Sequence, residues 1–188
     1  MPKRNAILQI LKKELDPERY AHSLRVEKTA LALARRHRVP AGKASLAALL
    51  HDYARKFSRP ELLKQAKRFK LGIDPVSKFE PKLLHAQLSA LLAKRDFGVK
   101  STEILRAISR HTVGAPGMNK LEKIIYLADH IEEGRNFSGV KKIRSLAAKD
   151  LDQAIIESSA NILRFLLVKG LPIHPGTIRT RNYYLLNL

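Results

Sequence analysis

Apolar residues recur at helical spacing along most of this 188-residue chain, and residues that start and end helices separate the runs. Asp16-Pro17-Glu18, for example, supplies an N-cap, a proline at the first helical position and an acidic first turn. The pattern predicts helices over 17–38, 43–55, 59–69, 81–95, 102–111, 120–133 and 151–169. Strand signals are nearly absent because no run of β-branched residues alternates with polar ones for long. We therefore predict an all-α fold with one domain over 1–188: an N-terminal helix over 1–15, a core over 16–170 and a tail over 171–188 that packs back onto the body.

The charge balance of the chain predicts an anionic partner. The chain has 36 Lys and Arg against 17 Asp and Glu, so its formal net charge is +19. Such a surplus predicts a nucleic acid, a phosphate-rich small molecule or an acidic lipid as partner. Basic residues are densest over 55–70, with a second cluster over 35–43, and an ordinary solvated helix surface is the alternative interpretation of each.

The composition also excludes several classes of protein. The absence of Cys excludes disulfide scaffolds, zinc ribbons, iron–sulfur clusters and thiol nucleophiles. No apolar run is long enough for a membrane span, and the first residues lack the apolar segment of a secretory signal. We expect a cytoplasmic protein without a membrane partner.

Carboxylates and histidines inside apolar helical segments are the candidate chemistry. His51-Asp52 directly follows an apolar run over 46–50, and Asp129 lies within another over 124–131. A buried, unpaired charge is costly, so each carboxylate needs a bound metal or an Arg or Lys partner. His22, His85 and His111 lie on neighbouring predicted helices and are candidate co-ligands. Imidazole and carboxylate suit iron, manganese or zinc at a hydrolytic site, although a single histidine taken alone more often has a structural role.

In this order the residues resemble the HD-domain phosphohydrolases, and the local sequence is similar to the YqeK family of symmetrical diadenosine tetraphosphate hydrolases. The matching stretches span 15–182 and are Arg19–Val26, Leu49–Ala54, His111–Gly114, Met118–Asp129, Ile131-Glu132 with Arg135, and Ile173–Pro175 with Arg181-Asn182. The chain departs from the family pattern at Glu133, where Pro is common, and at Arg55, where Lys is common. Arg keeps the charge but changes the geometry of a phosphate contact.

The resemblance implies an all-helical HD-domain bundle that holds iron. His22, His51, Asp52 and Asp129 would bind one or two ions, with manganese or another divalent metal as the alternative. Asp52, His85 and His111 would be the catalytic residues, with the two histidines acting as ligands of a second ion or as phosphate contacts and proton donors; this choice stays open. The residues expected to contact substrate are Arg19, Arg55, His85, His111, Thr112, Arg135, His174 and Thr177, with the tail closing near the active site.

The main hypothesis is therefore metal-dependent hydrolysis of diadenosine tetraphosphate to two ADP, with a dinucleoside polyphosphate as the small-molecule partner. One alternative is an HD phosphatase that acts on other nucleotides or on nucleic-acid ends. A second, from another class, is a basic RNA- or ribosome-binding module whose histidines are structural. RNA or another polyanion stays open as a partner because of the +19 charge, and a homodimer also stays open.

Overall fold

The computed structural model describes residues 3–188 and folds them into helices, with no strand in that range. This confirms the all-α prediction. The α-helices are α1 (Arg4–Glu14), α2 (Pro17–His37), α3 (Ala41–Leu50), α4 (Arg59–Arg68), α5 (Pro75–Phe79), α6 (His85–Phe97), α7 (Thr102–Arg110), α8 (Lys120–Ile131), α9 (Val140–Lys149), α10 (Leu151–Val168) and α11 (Pro175–Leu186). Two 3-10 helices, Tyr53–Lys56 and Pro81–Leu84, precede α4 and α6.

Side-chain caps fix several helix starts where the sequence predicts them. Asp16 accepts a hydrogen bond from the Arg19 backbone N–H at 2.9 Å, and Asn119 accepts one from the Glu122 N–H at 2.9 Å. Asp150 caps α10 in the same way. Each cap satisfies a backbone donor that has no partner within its own helix.

Two predicted helices are interrupted, and both interruptions lie at candidate site residues. The helix predicted over 43–55 ends at Leu50, because Asp52 leaves the helical region with φ −105° and ψ 13°. Beyond the break, the Ala54 N–H donates to the Ser89 hydroxyl at 2.9 Å. The helix predicted over 81–95 begins as a 3-10 turn and becomes α-helical only at His85.

Three α-helices were not predicted from the pattern: α5, which is only five residues long, α9 and α11. α9 begins after Gly139, which has φ +93° and no side chain that could cap the helix. The sequence therefore carries no N-cap signal for α9. α11 forms within the predicted tail over 171–188, where no single apolar face stands out along the helix. Its inward side holds buried Thr177, Thr180 and Tyr184 instead of an aliphatic stripe.

The core is arranged around α3, which packs against α2, α7 and α8, while α10 joins α8 to α9 and α11. Residues 46–50 of α3 are all buried, as expected for a central helix. Helix ends and midpoints from α2, α3, α6, α7 and α8 therefore meet at one place, which is the site described next. No helix within 3–188 is long and apolar enough to cross a membrane.

Candidate active site

Asp52 is the point on which the histidines of four segments converge. Its side chain is 4% exposed, and its two oxygens face different pairs of imidazoles. Oδ2 lies 3.7 Å from His22 Nε2 and 3.5 Å from His51 Nε2. Oδ1 lies 2.9 Å from His85 Nε2 and 3.7 Å from His111 Nε2. One carboxylate can therefore serve two adjoining sets of ligands.

Asp129 completes the first set. Its Oδ1 lies 3.1 Å from His22 Nε2 and 3.9 Å from His51 Nε2. One ligand atom from each of these three residues lies within 4.8 Å of the other two, and the same holds for His51, Asp52 and His111. Spacing of this kind can hold a metal ion.

The protonation of His22 and His51 shows what this first set lacks. His22 Nδ1 lies 3.3 Å from Glu132 Oε1, and His51 Nδ1 lies 2.6 Å from the Ala48 carbonyl oxygen. Because both partners can only accept, each Nδ1 carries the proton and each Nε2 of a neutral ring presents a lone pair. Both Nε2 atoms are buried without a hydrogen bond and face carboxylate oxygens. Lone pairs facing anions need a cation between them, so the donor set fits a metal.

The second set has the same tautomers. His111 Nδ1 donates to the Ile108 carbonyl at 2.7 Å, and His85 Nδ1 donates to the Lys82 carbonyl. Their Nε2 atoms are 2.9 Å apart, and both lie near Oδ1 of Asp52. Two neutral imidazoles cannot satisfy each other in this arrangement, so a second cation or an extra proton belongs here.

Burial and charge keep these groups in the states that bind cations. Burial lowers the pKa of His111 to about 3 and also lowers the pKa of His51. Burial acts to raise the pKa of Asp52, but the neighbouring His51 and His85 outweigh it and hold that pKa well below its usual range. The pKa of Asp129 is likewise lowered, since the adjacent His22 and His51 outweigh burial. Neutral imidazole and ionised carboxylate are the forms that ligate metals.

Glu132 supports the site from behind, and sequence reasoning assigned it no role. It is 2% exposed and bonds His22 Nδ1, Arg25 Nε at 2.8 Å and the Gly134 N–H at 2.6 Å. Although burial acts to raise its pKa, the Gly134 N–H and Arg25 outweigh it, so the carboxyl stays ionised. The signal that the sequence offered for this role was an acidic residue directly after the apolar C-terminal end of α8.

Arginines bring positive charge to both carboxylates. Arg19 NH1 lies 2.7 Å from Asp52 Oδ2, and Arg135 NH2 lies 2.9 Å from Asp129 Oδ1. Both were predicted to contact phosphate, and the structure places both beside these two carboxylates. Their guanidinium groups thus lie where an anion would be bound next to the candidate metal ligands His22, His51, Asp52 and Asp129, called the metal set below.

An apolar pocket adjoins the site through Thr112. Its Oγ1 lies 3.2 Å from His111 Nε2, and the residue also lines a cavity of about 170 Å³. The tail contributes His174 and Thr177 to the same cavity, as predicted, and His174 Nε2 lies 3.3 Å from Asp74 Oδ2. The other lining residues are Phe79, Glu80, Leu83, Val113, Ile162, Leu166, Leu171 and Pro172.

A basic groove adjoins the site through Arg19. This cavity of about 160 Å³ is lined by Arg19, the predicted phosphate ligand Arg55, and two further cations, Arg59 and Lys82. Arg59 belongs to the basic stretch over 55–70, whereas nothing in the sequence indicated a role for Lys82. The structure therefore brings all the predicted site residues to the metal set or to one of these two adjoining cavities.

Comparison with known proteins agrees with this arrangement. The model of the HD domain matches residues 19–134. The chain is 42% identical to the symmetrical bis(5'-nucleosyl)-tetraphosphatase of Halalkalibacterium halodurans, over 97% of both chains. It is 41% identical to that of Bacillus subtilis over 96% of both, and 35% identical to that of Staphylococcus aureus over 94% of this chain and 91% of the relative.

A solved structure is similar over the full length. It is a predicted HD superfamily hydrolase involved in NAD metabolism from Clostridium acetobutylicum, 36% identical in sequence. The two structures align with a TM-score of 0.96 over 100% of each chain.

Proposed function

This chain belongs to the HD-domain family, in the branch of the YqeK-type symmetrical bis(5'-nucleosyl)-tetraphosphatases, and on that basis we propose that it hydrolyses diadenosine tetraphosphate to two ADP. The observation that carries the proposal is the convergence of four histidine Nε2 atoms on Asp52, between an apolar pocket and a basic groove. A substrate with a nucleoside at one end and a chain of phosphates beyond it matches that order.

We propose that His22, His51, Asp52 and Asp129 hold the metal, since their buried, unpartnered Nε2 atoms and ionised carboxylates fit a divalent ion. Iron is our first assignment and manganese the competing one, because nitrogen and oxygen ligands without thiolate suit both. A bound divalent ion supplies a hydroxide near neutral pH and polarises a phosphoryl oxygen. His85 and His111 either bind a second ion or share a proton, and counting ions per chain distinguishes the two.

The remaining site residues bind and orient the substrate in this proposal. Arg19, Arg55 and Arg135 bind phosphoryl oxygens and stabilise the charge that builds on them in the transition state. The Thr112 hydroxyl donates a hydrogen bond to a phosphoryl oxygen next to the His85–His111 pair. His174 and Thr177 close the apolar pocket over one nucleoside.

An Asp52→Ala variant tests the proposal directly. Asp52 contacts all four histidines, so we expect its loss to remove both metal content and turnover. The measurements are elemental analysis of the purified protein and chromatography of the products, where two ADP differ from ATP plus AMP. Asp96→Asn, a carboxylate at the exposed end of α6, is the matched control. A variant at Asp52 that keeps full metal content and activity contradicts the assignment.

A substrate panel separates the main proposal from the HD phosphatase alternative. Cleavage of a mononucleotide or an oligonucleotide, with diadenosine tetraphosphate inert, favours that alternative. The cytoplasmic location, the homodimer and the RNA or other polyanion partner stay predictions. Cell fractionation tests the location, and measurement of the molar mass by light scattering tests the homodimer. RNA binding measured at two salt concentrations tests the polyanion partner.

A further inference from the structure

We propose that the two halves of the symmetrical substrate are recognised by different chemistry: one half by its nucleoside in the apolar pocket, the other by its phosphates in the basic groove. The inference rests on the proposed function and assigns the groove a ligand class, the distal phosphates of a nucleoside polyphosphate. It follows that the second nucleoside is not required for cleavage.

The groove is built to hold an anion. Four cations line it, and two of them have no carboxylate within 4.0 Å among residues 3–188: Arg55 and Lys82. Arg59 is shared with Glu80, and Arg19 with Asp52. The acidic lining residue, Asp16, already accepts the Arg19 backbone N–H as the cap of α2. Positive charge therefore exceeds negative charge in the groove.

The groove and the pocket are both continuous with the site but touch it through different residues. Arg19 lines the groove and contacts Asp52 at 2.7 Å, and the Lys82 carbonyl holds His85. Thr112 connects the pocket to His111. The 3-10 turn over 81–84 separates the two cavities, since Lys82 lines the groove and Leu83 lines the pocket. A chain of phosphates bound beside Asp52 can extend toward the pocket at one end and into the groove at the other.

The two cavities differ in what they can recognise. The pocket presents Phe79, Leu83, Val113 and Ile162, which suit a flat apolar base. The groove presents mainly cations, and its apolar residues are only Phe57 and Leu62. Cations bind phosphate whatever base follows it. The groove therefore selects for negative charge and leaves the distal base unread.

Adenosine 5'-tetraphosphate is the substrate that isolates this property, because it keeps four phosphates and one nucleoside. Water adds across its central anhydride, between the second and third phosphorus: the oxygen of water joins one phosphorus, the bridging oxygen leaves with the other, and the products are ADP and pyrophosphate. We expect its kcat/KM to lie within about tenfold of that of diadenosine tetraphosphate, since the groove contacts are retained.

The test measures kcat/KM for both substrates with metal-loaded wild type, Lys82→Ala, Arg55→Ala and the control Lys67→Ala. Lys67 is an exposed cation of α4 outside the groove. We expect each groove variant to lose about tenfold on both substrates, as for loss of one charge-assisted contact, and the control to change by less than about twofold.

Three results overturn the inference while leaving the proposed function intact. One is an inert adenosine 5'-tetraphosphate beside rapid cleavage of diadenosine tetraphosphate, which would mean that the second base is read. Another is release of ATP and phosphate, which would place the chain in another register. The third is groove variants that behave like Lys67→Ala. If wild type cleaves neither substrate, the proposed function itself is wrong, and this inference is overturned with it.

Discussion

Glu132 gives the sharpest test of how the metal set is held. Its carboxylate accepts from His22 Nδ1 at 3.3 Å and so fixes the tautomer that points the Nε2 lone pair at Asp52 and Asp129. Partners of this kind behind a ligating histidine contribute about 10- to 100-fold in metal affinity. We expect Glu132→Ala to weaken metal binding by that factor, which equals about 1.4–2.7 kcal/mol.

The conservative variant separates orientation from charge. Glu132→Gln keeps an oxygen that can accept from His22 Nδ1, although it removes the charge facing Arg25. We therefore expect Gln to restore most of the metal affinity, to within about tenfold of wild type. Arg25 retains its contact with Glu18 at 2.6 Å, so the protein keeps one partner for that guanidinium.

The assay is metal affinity by competition with a chelator, together with thermal unfolding of the metal-free protein. The control is Glu133→Ala, the next residue, whose exposed carboxylate pairs with Lys28 at 2.5 Å. A Glu132→Ala protein that binds metal as tightly as wild type, while its metal-free form unfolds at a lower temperature, would show a purely structural role and refute the reasoning.

Three further predictions follow from particular contacts. Gly114→Ala should destabilise the protein by about 1–3 kcal/mol in denaturant unfolding, because φ is +71° and the new Cβ would lie 2.5 Å from Thr180 Cγ2. Gly98→Ala, with φ +65° and open space around the new Cβ, should lower the free energy of unfolding by less. Equal losses in the two variants would contradict a role for the Thr180 contact. Phe79→Ala should raise KM with little change in kcat, since Phe79 lines the pocket but touches none of the reacting groups; an equal fall in kcat would place it in the transition state. The metal-free protein should melt at lower temperature as the pH falls below about 6.5, because unfolded His111 then takes up a proton that the folded residue, with its pKa lowered to about 3, does not; a flat melting temperature between pH 7 and 5 would contradict it.

Three of the four metal-set residues could be predicted from the sequence because they violate a local pattern. His51-Asp52 and Asp129 interrupt apolar helical segments, and a charge placed there needs a partner. Helix starts such as those at Asp16 and Asn119 were accessible for a similarly local reason, since the cap lies within three residues of its partner.

What could not be predicted depends on contacts between distant segments. The role of Glu132 depends on α2 and α8 lying side by side, since its partner His22 is 110 residues away. The groove depends on the 3-10 turn over 81–84 facing the N-terminal end of α2. Lys82 is exposed and ordinary in sequence, and only this packing distinguishes it from other surface lysines.

The position of the cations divides the net charge of +19 into parts with different physical effects. Some arginines neutralise buried carboxylates: Arg106 and Arg110 both contact Glu122, which is 0% exposed, and these pairs act on the fold. Arg55 and Lys82 line the groove and can contact a phosphate directly.

The exposed cations of α4 outside the groove, Lys64, Lys67 and Arg68, form a third part. None of them has a carboxylate within 4.0 Å in the described chain, and none lines the groove. They can therefore act on a tetraphosphate only through the long-range electrostatic field of the protein. Salt screens that field over about 8–10 Å, so its main effect is on the rate of encounter at low ionic strength. For this basic surface the sequence left open a polyanion partner and an ordinary solvated helix face, and its effect on an anionic substrate is limited to long-range attraction toward the groove beside it.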